Sequence, residues 1–162
     1  MATKNANYYT LDTNKTVAEI SYKKLDLAIE LLDEAIRQFL DRKSFACFLN
    51  LAGVAEEVLG RTVELRGGES SLAQRVNDHL LIHNAFASSK LTAKQSRDRQ
   101  NRAKNSIKHL NDTNDAEVTL DLEDEAIEML NRAVHNVILL QLPYTDEIRR
   151  FDDWYMENCV GV

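Results

Sequence analysis

Proline occurs once in 162 residues and glycine five times, so little in the chain interrupts long helices or builds tight hairpins. Alternation of apolar and polar residues is also scarce, which argues against half-buried sheet. The two cysteines, Cys47 in an apolar helical pattern and Cys159 near the C-terminus, form neither a metal box nor a disulfide framework and read as reduced structural thiols. No stretch approaches the roughly 18 to 20 uninterrupted apolar residues of a membrane span, and the opening MATKNANYYTLDTNKT is polar with no apolar h-region. A cytoplasmic protein with no membrane contact is therefore expected. A Gly-rich phosphate loop, a G-x-S-x-G elbow and a Cys-x-x-Cys element are all missing, which disfavours P-loop NTPases, α/β hydrolases and thioredoxin-like enzymes. No cofactor and no metal is expected.

What remains is helical. Apolar residues make up 44% of the chain, enough for one core and too few residues for two ordinary domains. Residues 1–15 are expected to be a loosely held tail and 16–162 a single domain. Thr16 with Glu19 has the spacing of a capping box and predicts a helix to about Arg42, with Ile20, Leu25, Ala28, Ile29, Leu32, Ile36, Phe39 and Leu40 inward. Ser44 can cap a second that stops at Gly67-Gly68, and Ser70 or Ser71 starts a third through about Ala87. Thr92 with Gln95 opens a fourth that runs to Leu110. A fifth spans about Asp121 to Leu142, stopped by Pro143, and a short sixth carries Ile148, Phe151, Trp154 and Tyr155. Long helices on short connections predict an all-α fold, an antiparallel up-and-down bundle of five to six helices.

Charge is unevenly distributed along this pattern. The segment KLTAKQSRDRQNRAKNSIKH, from Lys90 to His109, holds seven of the twenty Lys and Arg against one acid, Asp98. Its formal charge is about +6, while the remainder of the chain carries about −12. Such a local excess in an acidic protein points to a phosphate-bearing ligand bound at one place rather than to general DNA binding. At about 100° per residue, with Arg102 at zero, Asn105 falls near 300°, Ser106 near 40°, His109 near 340° and Arg99 near 60°. These five share one stripe, beside a narrow core edge of Ala103, Ile107 and Leu110, with Lys104 and Lys108 on the far side. Arginine forks onto phosphate, asparagine orients a hydroxyl, and histidine moves protons near neutrality. Metal-free RNA cleavage needs those capacities.

Arg102 followed by Asn105-Ser-Ile-Lys-His109, late in an all-helical chain and preceded by LAGVAEEVLG, resembles the HEPN family (higher eukaryotes and prokaryotes nucleotide-binding), in particular its uncharacterised bacterial branch. The family signature is an arginine, four to six residues, then histidine. The resemblance implies a homodimer with facing motif helices. In active members it implies a metal-independent endoribonuclease of toxin or defence type, and in others a non-catalytic module for nucleotide, RNA or a protein partner. On that reading Arg102, Asn105 and His109 are the candidate catalytic residues, and Arg99, Lys104, Ser106 and Lys108 the candidate ligand-binding ones. In active members the polar residue usually follows the arginine directly. Here Ala103 follows Arg102 and Asn105 follows Lys104, so Arg102 and Lys104 compete for the motif position, and a lysine there would replace a planar fork by a point charge.

Other clusters have plainer readings. His79 and His83 stand at i and i+4, a spacing two imidazoles can share on zinc, yet no third ligand is near, so core-edge histidines are expected. Glu56 and Glu57 point about 100° apart, so at least one must be wet, and pairing of Glu57 with an arginine of the basic helix is the alternative to a solvated edge. From Asn111 to Asn131 there are eight acids and no base, expected to offset part of the basic segment. The aromatic C-terminus reads as core, with a protein-partner surface as the alternative.

Overall fold

The computed structural model describes residues 20–41, 44–110, 113 and 116–160. Among them the secondary structure is helical without strands: α1 Lys24–Leu40, α2 Phe45–Leu65, α3 Ser71–Phe86, α4 Ala93–Gln100, α5 Arg102–Lys108, α6 Leu122–Leu139 and α7 Asp146–Tyr155, the last running into a π turn, Met156–Val160. The all-α expectation holds. The count rises to seven because the basic helix is two helices rather than one.

Local chemistry accounts for most of the boundaries. The α2 C-terminus closes on Gly67, whose φ of 82° is in the left-handed region, with Gly67 N–H donating to the Glu64 carbonyl and Gly68 N–H to the Val63 carbonyl. That is the Schellman pattern expected at a glycine pair. Ser70 caps α3 and Thr145 caps α7 through their side-chain oxygens. Thr92 and Gln95 form the reciprocal capping box expected of their spacing.

Two boundaries differ. Residues 20–23 are not helical and α1 begins at Lys24, so Ile20 lies outside it and is 69% exposed. The Thr16–Glu19 pair and the expected tail lie outside the described residues. Helix α6 stops at Leu139, before Pro143, because Gln141 adopts a left-handed φ of 55° and the Gln141 and Leu142 amides bond back to Ile138 and Val137. The stop is a C-terminal cap rather than the proline.

The core is built by α1, α2 and α6, with Leu32, Ile36, Phe48, Leu49, Leu59, Leu130 and Val137 removed from water. Burying each such side chain contributes about 1.5–3 kcal/mol. Helix α7 docks on α1 through rings: Phe39 meets Phe151 and Trp154 edge-on at 6.0 and 4.7 Å, and it meets Phe48 of α2 edge-on at 5.4 Å. Of the aromatic C-terminus, Phe151 is in the core and Tyr144, Trp154 and Tyr155 pack against it half-buried, while Met156–Val160 are exposed. Both cysteines are free and exposed, Cys47 because the buried stripe of α2 passes through Phe48, Leu49 and Ala52 instead. No described helix is long and apolar enough to cross a membrane.

Candidate functional site

The break in the basic segment falls on Asn101, whose φ and ψ of −107° and 6° lie in the sparsely allowed bridge region between α4 and α5. Beneath it is Arg132 of α6, 2% exposed. Its Nη1 donates to the Gln100 carbonyl at 2.8 Å, and its Nη2 to Asn101 Oδ1 at 3.0 Å and to Glu56 Oε1 of α2 at 2.9 Å. One guanidinium therefore ties the kink to two core helices. The break also invalidates a single wheel carried from Arg99 through His109, because Asn101 and His109 both depart from helical φ and ψ.

Lys104 lies on the other side of the same glutamate. Expected on the solvent side, it is 6% exposed, with Nζ 3.4 Å from Glu57 Oε2 and 4.0 Å from Glu56 Oε2. Its stem passes directly over Gly53, where an added Cβ would sit 2.6 Å from Lys104 Cδ. The missing side chain in α2 lets the lysine stem lie against the helix while its ammonium reaches two carboxylates. So Glu57 does pair with the basic segment, through a lysine rather than an arginine, and Glu56 is buried at 2% while Glu57 stays at the wet edge.

The other candidates lie outside this network. Arg99, Arg102, Asn105, Lys108 and His109 are exposed, and Ser106 is half-buried. Arg102 donates through Nη2 to the Thr119 carbonyl at 3.1 Å. His109 is the extended C-cap residue of α5, φ −127° and ψ 134°, off the helix on which the stripe placed it. Of the expected core edge, Ala103 is buried and Ile107 half-buried, but Leu110 is 73% exposed because the helix ends before it. The structure thus brings Lys104 together with Glu56, Glu57 and Arg132, and leaves the side chains of Asn105 and His109 without a hydrogen bond among the described residues.

The acidic stretch does lie against the basic one. Asp124, Glu125 and Glu128 of α6 share a cleft of about 270 Å³ with Arg99 and Arg132. Arg75 forms an ion pair with Glu128. Burial pushes the Glu125 carboxyl above its ordinary range, and the nearby Arg102 charge opposes that rise. Part of the positive potential is therefore answered within the chain. Lys94, Arg97, Arg99 and Lys108 are exposed and make no ion pair among the described residues. His79 Nδ1 lies 2.9 Å from Ser96 Oγ and its ring meets that of His83 edge-on, as core-edge histidines. No group of three metal-ligating side chains occurs among the described residues.

Sequence reasoning missed Arg132, Asn101 and Gly53. A signal for Arg132 existed: Met129, Arg132 and Asn136 follow one another at three- and four-residue spacing and all are buried, a helix face that carries two polar groups into the core. Asn136 takes the Ser71 amide on Oδ1 at 2.9 Å and donates to the Glu56 carbonyl at 3.4 Å, which fastens the start of α3 to the same place. Comparison of the chain with known protein families, curated proteins and solved structures gives no match.

Proposed function

We propose that this chain is a HEPN-like helical module, an antiparallel bundle acting as a cytoplasmic homodimer, that binds RNA or a nucleotide phosphate without cleaving it. The observation that carries this reading is the division of the basic segment. Lys104, which stands directly before Asn105 as the motif arginine usually stands before its polar neighbour, is sequestered with Glu56 and Glu57, while Lys94, Arg97, Arg99 and Lys108 face water unpaired among the described residues. An ammonium whose charge is offset by two nearby carboxylates is a weak stabiliser of developing phosphorane charge, whereas exposed unpaired cations are the groups that displace counterions from a polyanion. Arg102 is already engaged by the Thr119 carbonyl, and His109 is held on extended backbone rather than on the helix with Asn105. Binding by titrating a fluorescent oligouridylate, with cleavage of the same RNA followed in excess EDTA, tests both halves of the statement.

A second reading is an interaction bundle. It is favoured by the outer side of α3, where Leu81, Ile82 and Phe86 are 73, 60 and 89% exposed. A chain that binds no oligouridylate at low salt belongs to that class. The metal-independent endoribonuclease remains the third, and cleavage in EDTA that is lost in His109→Ala would establish it.

A further inference from the structure

Between α2, the start of α3 and the α4–α5 break lies a cavity of about 280 Å³, lined by Lys104, Glu57, Glu64, Arg61, Asn101 and Leu72 among others. One of its lining side chains is that of Lys104, which ends in an ammonium. That group has three N–H donors, yet its side chain, only 8% exposed, makes a single long hydrogen bond, 3.4 Å to Glu57. The nearby Glu56 is 4.0 Å away and has its other oxygen held by Arg132. Two of the ammonium's three donors are therefore left to offer a ligand in the cavity.

The lining decides what kind of acceptor. Glu56, Glu57 and Glu64 face the cavity against Lys104 and Arg61, and Arg61 is itself bonded to Glu64 at 3.1 Å, so a phosphate would meet more carboxylate than cation. A neutral group fits better, one that offers an acceptor to the lysine beside donors to a carboxylate. The volume lies just below the roughly 300–1,000 Å³ of sites for drug-sized ligands, which suits one ring system rather than a whole nucleotide. Among nucleobases guanine alone sets one acceptor, O6, next to two adjacent donors, N1–H and N2–H₂; adenine and uracil each turn an acceptor toward the carboxylate. Leu72 supplies an apolar wall, and Asn101 links the cavity to the break between the exposed cations of α4 and α5.

We propose that this cavity receives a guanine base, with O6 on the Lys104 ammonium and the N1–H and N2–H₂ edge on the Glu57 carboxylate, while the attached phosphate lies outward among the cations of α4 and α5. The proposal rests on the phosphate-binding reading above and makes it base-selective.

The test separates the two. Calorimetric titration of the full chain with guanosine, inosine and adenosine, none of which carries a phosphate, reads the cavity; titration with oligouridylate reads the surface cations. Guanosine is expected to bind saturably, inosine about tenfold more weakly for loss of the 2-amino donor, and adenosine not measurably. Lys104→Met keeps the stem over Gly53 and should abolish guanosine binding while sparing oligouridylate. Should that variant fail to fold by circular dichroism, Glu57→Gln, at an exposed side chain, decides the matter by an expected tenfold loss. Absence of saturable guanosine binding, equal affinity for adenosine, or unchanged guanosine affinity in the folded variants overturns the cavity assignment. If oligouridylate still binds in those cases, the surface reading survives; guanosine binding without oligouridylate binding overturns the surface reading alone.

Discussion

Arg132 Nη2 lies 2.9 Å from Glu56 Oε1, and the two side chains are only 2 and 3% exposed. This buried pair joins the middle of α6 to the middle of α2 directly under the break that divides the basic segment. Because Arg132 also holds the Gln100 carbonyl and Asn101 Oδ1, the pair fixes the place where α4 hands over to α5. Removing one partner leaves a charge in the core without its nearest counter-ion. Arg132→Ala is expected to lower stability by about 3–5 kcal/mol in urea denaturation, while the combined Glu56→Met and Arg132→Met change recovers a large part of that loss.

Gly53 offers a sign reversal. In an ordinary helix interior Gly→Ala adds about 0.5–1 kcal/mol of stability. Here the new methyl would sit 2.6 Å from Lys104 Cδ, so Gly53→Ala is expected to destabilise by about 1–2 kcal/mol through overpacking. In a Lys104→Ala background the stem is gone, and the same substitution should stabilise. A four-way cycle of denaturation midpoints checks this; a Gly53→Ala effect of the same sign in both backgrounds would refute the packing.

Glu125 sits where the acidic stretch answers the basic one. Burial raises its carboxyl pKa above the ordinary 4.5, with Arg102 working the other way. The folded chain therefore favours the protonated form. The associated stability is full below the ordinary value and is lost as pH rises through the raised one. Glu125→Gln should flatten stability across that window. By removing an acid beside Arg102 it should also tighten oligouridylate binding by about threefold at low salt.

The fold was largely legible because its determinants are local. The Thr92–Gln95 box, the Gly67-Gly68 stop and the Ser70 cap each act within a few residues, and each is found where its spacing places it. The candidate site was legible in part. The exposure of Arg99, Asn105, Lys108 and His109 follows from a polar, basic segment. The burial of Lys104 does not, since it depends on Gly53 and Glu56 in α2, and the break at Asn101 is braced by Arg132 in α6. Contacts across 31 residues and more leave no trace in a wheel drawn on one helix. The same limit applies to Gln141, whose left-handed cap ends α6 ahead of the proline that local rules favour.

Cleavage provides a separate check. With excess EDTA, neither the wild type nor His109→Ala is expected to cut structured or single-stranded RNA over hours. His109→Ala should cost less than about threefold in RNA affinity, since His109 stands on extended backbone off α5 and the exposed Lys and Arg carry the phosphate contacts.

The most direct test of phosphate binding by the exposed cations is the salt dependence of oligouridylate affinity, measured for the wild type and for the Arg99→Ala, Lys108→Ala double variant. Each phosphate contact on a single strand contributes a slope of about −0.7 in log K against log salt, so the double variant should be shallower by about 1.4. A wild type that shows no salt-dependent binding, or a double variant with the wild-type slope, would contradict the account.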